Sequence, residues 1–222
     1  TNASVMDRRQ AMTQSIGGSF DAIGQIEVEL LMALGLESGM RVIDVGCGSG
    51  RASAALAASG LEIDYLGTDV VQPLLDYAAE ISPASYRFEL VDGLAVPAPD
   101  ESADFAFAFS VFTHLRHEET FLYLKDIHRI LKSRGTLVFS YLEFANPGHW
   151  PVFIQTAEAV AHGVPVPLNV FIERQAIQLM ADALGFELVT FQADVDTEIV
   201  LSREVIDDNG TRISGRAYLG QS

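Results

Sequence analysis

Residues 42–51 read VIDVGCGSGR, an apolar run that ends in glycines at alternate positions and passes straight into the small-residue stretch RASAALAAS. Few local patterns restrict a fold more. β-Branched residues favour a buried strand, the glycines permit positive φ and close approach by other atoms, and small side chains let a helix lie near a sheet. The predicted unit is strand, tight turn, helix, with free N–H groups of the helix start aimed at whatever occupies the turn. Two familiar versions of that unit do not fit. A dinucleotide loop needs a third glycine where Arg51 stands, and no Gly-Lys-Ser/Thr follows for a phosphate loop.

The rest of the chain alternates in the same manner. Helical apolar spacing covers 20–34, and strands are predicted at RVIDVG, IDYLGTD, YRFELVD, ADFAFAFS and GTLVFSYL. Between them lie helices over 51–59, 73–81 and 118–131. Further helices are expected over 150–161 and 171–184, the latter ended by Gly185, followed by a strand at FELVTFQ. Strands alternating with helices imply a Rossmann-like α/β/α three-layer sandwich around a mostly parallel sheet. One domain is expected over 1–222, with an N-terminal arm or lid at 1–19 hinged at Gly17–Gly18 and a core at 20–192. A β-ribbon tail at 193–222 would turn at Asp208-Asn209-Gly210.

Charge narrows the partners. Thirty acids against 14 bases give a formal charge of −16, a field that repels nucleic acid. No apolar run is long enough to span a bilayer, and no signal peptide is read at the N-terminus. Cys47 is the one cysteine, so no internal disulfide or cysteine-based metal site is expected, and a cytoplasmic setting fits. Nothing in the chain sets an oligomeric state.

Three carboxylates fall at the ends of the first three strands: Asp44, Asp69 and Asp92. Buried acids need a bonding partner. An ammonium for the first, ribose hydroxyls for the second and an adenine amino group for the third would supply one each, whereas a pyrophosphate would be repelled.

On these residues the chain resembles class I S-adenosylmethionine-dependent methyltransferases of the small-molecule type. VIDVGCGSG matches the first motif, GTD the second strand end and LVDG the third. ADFAFAFSVFTHL matches the fourth strand, and HRILKSRGTLVFSYLE the fifth with its leading helix. The resemblance implies a seven-stranded sheet of order 3-2-1-4-5-7-6 with the seventh strand antiparallel; the β-type tail departs from that pattern, with YLGQS read as a truncated seventh strand. It implies S-adenosylmethionine as donor and S-adenosylhomocysteine (SAH) as product. Gly46, Gly48 and Gly50 would line the methionine part, Asp69 the ribose, Asp92, Gly93 and Leu94 the adenine, and Ser110 the methionine end, with Asp44, Cys47 and Val70 also in the cofactor site.

Methyl transfer to a hydroxyl or ammonium also needs a proton acceptor. His114, after the fourth strand, and Glu143 and His149, after the fifth, are the candidates, with Phe112 and Trp150 as substrate walls. The Asn/Asp-Pro-Pro-Tyr/Phe element of enzymes that methylate planar amides is missing after the fourth strand, which favours a small acceptor methylated on oxygen. Relatives that use a histidine at the position of His114 pair it with an N-terminal tyrosine, and no tyrosine precedes Tyr65. Two other readings stay open: a cofactor-binding scaffold without turnover, and an aminopropyl transferase of the same fold.

Overall fold

A computed structural model describes Met12, residues 19–191 and the segments 198–203, 205–206 and 212–213. Its spine is a parallel sheet of β1 (Arg41–Val45), β2 (Asp64–Asp69), β3 (Arg87–Leu90), β4 (Ala103–Ala108) and β5 (Leu131–Ser140), in the order 3-2-1-4-5. The register places Val42 beside Tyr65 and Phe105, and Asp44 beside Gly67 and Phe107. The helices are α1 (Phe20–Ala33), α2 (Arg51–Ala58), α3 (Gln72–Ile81), α4 (His117–Ile130), α5 (Trp150–Ala161) and α6 (Arg174–Leu184), of which α2, α3 and α4 join β1 to β2, β2 to β3 and β4 to β5. The Rossmann-like α/β arrangement expected from the sequence is therefore present.

The two-residue period of a strand divides β1 between two cores. Val42 packs with Val28, Leu31 and Leu56 under α1 and α2. Ile43 and Val45 pack with Leu124 and Ile127 of α4. Asp44 shares the parity of Val42, so its carboxyl faces the α1 side, where Tyr65 and Glu27 await it. Gly24 permits this closeness: a Cβ there would lie 3.0 Å from the Arg51 carbonyl oxygen and 3.2 Å from Ala55 Cβ.

Beyond β5 the chain departs from expectation in one place. The predicted helix over 171–184 starts only at Arg174, because Phe171 is taken by a parallel bridge to Leu142. The Ile172 amide donates to the Leu142 carbonyl at 2.8 Å. Gly185 ends α6 at φ 80°, as its position predicted. β6 (Phe186–Phe191) and β7 (Glu198–Arg203) follow, and β7 pairs antiparallel with both β5 and β6. Tyr218–Ser222, expected as a truncated seventh strand, lies outside the described residues. β8 (Val205–Ile206) pairs antiparallel with β9 (Arg212–Ile213), and the turn expected at Asp208-Asn209-Gly210 lies outside the described residues. Most of the N-terminal arm, including Gly17 and Gly18, also lies outside the described residues. Among those described, no helix is long and apolar enough to cross a membrane.

Candidate active site

A cavity of about 790 Å³ opens where the carboxyl ends of β1 to β4 meet. That is where an open α/β sheet gathers its loops. Asp44, Gly46, Cys47, Gly48, Asp69, Val70, Asp92, Gly93, Leu94 and Ser110 all line it. Ten residues predicted for one ligand are brought to one hollow. Gly50 instead sits behind the loop at φ 86°, where a Cβ would come within 2.8 Å of Ala78 Cβ. Gly46, at φ 71°, is pressed by Val111, whose Cγ2 would lie 2.4 Å from an added Cβ. These two glycines are demanded by backbone conformation and neighbouring side chains of the protein itself.

Asp69 is the organising group. It is 9% exposed. One oxygen accepts the Gly48 amide and the other the Val71 amide, each at 2.9 Å. The same carboxylate therefore clamps the glycine loop and the entry to α3, and each oxygen keeps a lone pair for a hydroxyl. Val70 is 66% exposed and Leu90 53%, leaving an apolar wall where a flat ring can lie. Asp92 stands exposed at the rim.

Asp44 is 3% exposed, and the Tyr65 hydroxyl donates to it at 2.6 Å. Burial pushes its carboxyl up to about 8, the Tyr65 bond opposing that and the nearby acids Glu27 and Asp69 adding to it. A cationic group entering the cavity would favour the ionised form of this carboxyl, which has little solvent of its own. Burial likewise holds the Cys47 thiol well above its ordinary value, so it is a packed wall and not a nucleophile.

Glu27 and Arg51 also line the cavity and form an ion pair with each other. Arg51 Nε lies 3.1 Å from Glu27 Oε2. Sequence reasoning did not single out Glu27. The signal was available: it falls on the stripe of Gly24, Val28 and Leu31 that α1 buries, an acid where the helical period demands an apolar residue.

The catalytic candidates separate. His114 lines the cavity, and its Nδ1 lies 2.6 Å from the Leu168 carbonyl. A carbonyl only accepts, so the neutral ring carries its proton on Nδ1 and leaves the Nε2 lone pair for a base. Glu143 and His149 do not line the cavity. Glu143 is 1% exposed and held by Arg174, with Nε 2.9 Å from Oε2 and Nη2 2.6 Å from Oε1. His149 is buried within its own loop, where its Nδ1 accepts the Glu143 amide at 3.0 Å. Both hold the turn after β5 together. Phe112 is corrected from substrate wall to core: it is 1% exposed, edge-on to Phe139 at 4.8 Å, and its neighbours Val111 and Leu115 face the cavity. Trp150 stands apart from the cavity, half exposed, 5.1 Å from Phe153. Tyr123 and Glu119, unforeseen, line the cavity from α4. Among the described residues no cluster of His, Cys, Asp or Glu is placed to hold a metal ion.

Residues 43–139 match the family described as methyltransferase domain. Over 158 residues the chain is 30% identical to the demethylmenaquinone methyltransferase of Deinococcus radiodurans, a match that spans 62% of this chain and 61% of that protein. It is 27% identical over 164 residues to the ubiquinone biosynthesis O-methyltransferase of Ruegeria pomeroyi, spanning 71% and 60%. The chain thus covers about three fifths of the length of these relatives. Among solved structures it is similar to the magnesium protoporphyrin IX methyltransferase of Synechocystis PCC 6803 with bound SAH, at TM-score 0.62 and 18% identity, over 91% of this chain and 95% of that one. At that identity the likeness concerns the fold.

Proposed function

Because residues 43–139 match the methyltransferase domain family, we propose that the protein moves a methyl group from S-adenosylmethionine to a small-molecule acceptor, with oxygen favoured as the accepting atom. The carrying observation is Asp69, whose carboxylate braces the glycine loop and still faces the cavity. S-adenosylmethionine, when bound, supplies a methyl group activated by its sulfonium.

The remaining work falls to the chain. Asp69 receives ribose hydroxyls, Asp44 meets the ammonium, and Val70 and Leu90 flank the adenine, with Asp92, Gly93 and Leu94 at its edge. Gly46, Cys47 and Gly48 give the methionyl part a close backbone wall, and Ser110 borders the reacting end. Glu27 and Arg51 offer an acid and a base side by side, matched to an amino-acid zwitterion. His114 Nε2 takes the acceptor's proton, while Val111 and Leu115 keep water away. Glu143 and His149 serve this reading by fixing the loop after β5.

The same reading takes the sheet to its full order 3-2-1-4-5-7-6, supported by the pairing of Glu198–Arg203 with both neighbours. It treats 1–222 as one domain with an arm at 1–19. The Ser49 hydroxyl, which donates to the Met12 carbonyl at 2.9 Å, supports an arm laid against the glycine loop. The names of both curated relatives favour a small acceptor, and one of them an oxygen.

Calorimetric titration with SAH tests the donor site. Intact protein should bind at micromolar concentration. Asp69→Ala should weaken binding at least tenfold, the loss of one or two charge-assisted hydrogen bonds of roughly 1.5–3 kcal/mol each. Asp69→Asn, which keeps an acceptor for one of the two amides, should fall between. Absence of SAH binding to the intact protein would overturn the proposal.

His114→Asn retains a donor for the Leu168 carbonyl but removes the basic nitrogen. Methyl transfer to a hydroxyl acceptor should slow about 100-fold, with SAH affinity changed less than threefold. An unchanged rate would remove His114 from the chemistry.

A further inference from the structure

Apolar exposure on this molecule is concentrated in one place. Eight of the fifteen exposed large apolar side chains among the described residues fall between positions 144 and 168. α5 carries Trp150, Phe153, Ile154 and Val160 and buries none of its residues. Phe144 stacks on Phe171 at 4.4 Å, Phe153 stands edge-on to both, and Trp150 extends the row. The segment after α5 closes back through Asn169 Nδ2, which donates to Thr156 Oγ1 at 2.9 Å. The result is a preformed shelf of aromatic rings. Continuous exposed apolar surface of this kind marks a place where something binds.

Two observations identify the occupant. The chain that closes the shelf meets the cavity wall at His114: the Leu168 carbonyl accepts from His114, and the Val170 amide donates to the Thr113 carbonyl at 2.8 Å. It also lacks positive charge, for residues 144–171 contain Glu158 but no lysine or arginine. A face that lies on anionic lipid carries basic residues, and this one has none.

We propose that the shelf binds the apolar portion of the acceptor, so that the substrates of this protein carry a hydrocarbon group extending from the reacting head, past His114, onto Phe144, Trp150, Phe153 and Phe171. The proposal rests on the methyl-transfer reading for the word acceptor, though not for the existence of the apolar site. It adds a chemical class that the cavity alone does not specify.

Trp150 is the chain's one tryptophan and reports on the shelf directly. The protein saturated with SAH would be titrated with 4-alkylphenols from methyl to octyl, with tryptophan emission excited selectively. Binding should tighten about fourfold per added methylene, as burial of each such group predicts, with a blue shift of emission. Phe153→Ser, at a surface position, should weaken octylphenol at least fivefold and leave SAH affinity unchanged. Affinity that does not grow with chain length, or emission that never moves, overturns the proposal. So does emission that shifts with protein concentration alone, which would make the shelf an interface between copies. Emission that answers phosphatidylcholine vesicles but not the phenols would assign it to a membrane and overturn it equally. If SAH fails to bind while the phenols, added to protein without SAH, show the chain-length trend, the methyl-transfer reading falls and the apolar site stands.

Discussion

Arg174→Ala should cost about 3–5 kcal/mol of folding stability, read as a lowered midpoint in urea unfolding at neutral pH. The reason lies in the partner. Glu143 is 1% exposed and is met by two guanidinium nitrogens of Arg174, the first residue of α6. Truncation leaves a buried carboxylate facing no counterion, and such a group must either stay charged at great cost or take up a proton. The damage should therefore shrink as pH falls. Pairing the change with Glu143→Gln should recover a large part of the loss, because an uncharged amide replaces the stranded charge. A loss below 1 kcal/mol in the single variant would show that solvent reaches Glu143 freely.

Asp44 carries the second large effect, and it has a definite sign. Its carboxyl releases a proton near 3.8 when unfolded and near 8 when folded. Between those values the unfolded chain binds fewer protons, so stability falls as pH rises from about 4 to about 8 and levels off above. At about 1.4 kcal/mol per unit, the gap amounts to several kcal/mol. Asp44→Asn keeps an acceptor for the Tyr65 hydroxyl and removes the charge. It should be the more stable protein at pH 8, with the advantage fading toward pH 4, in urea titrations run in parallel. Coincident pH profiles would refute the assignment. A ligand ammonium beside Asp44 favours the ionised form, so SAH binding at pH 7 should expel a proton, detectable as a dependence of the binding heat on buffer ionisation enthalpy. Asp44→Asn should lose that proton release.

Much of this was legible before any coordinates. The strand ends were, because a parallel sheet aligns the last residues of its neighbours; Asp44, Asp69 and Asp92 could be grouped once the strands were placed. The resemblance stated on those same motifs supplied the ligand. What the glycines do was only half legible. Positive φ at Gly46 and Gly50 follows from the turn, but their crowding by Val111 and Ala78 depends on contacts distant in sequence. Side-chain direction was the weak point. Phe112 and Val111 are adjacent, and a short 3-10 turn at Phe112–His114 sends one into the core and the other to the cavity. From sequence Glu143 was a candidate proton acceptor, but Arg174, thirty-one residues on, holds it in an ion pair.

The bridge from Leu142 to Phe171 and the ion pair from Glu143 to Arg174 close a long excursion of chain at its base. Every predicted donor-binding residue precedes Val111, whereas the aromatic shelf lies within the excursion. The molecule is thereby divided like a tool with an exchangeable head. Insertions or wholesale replacement between the two closures can therefore reshape the aromatic shelf without disturbing the hollow at the strand ends.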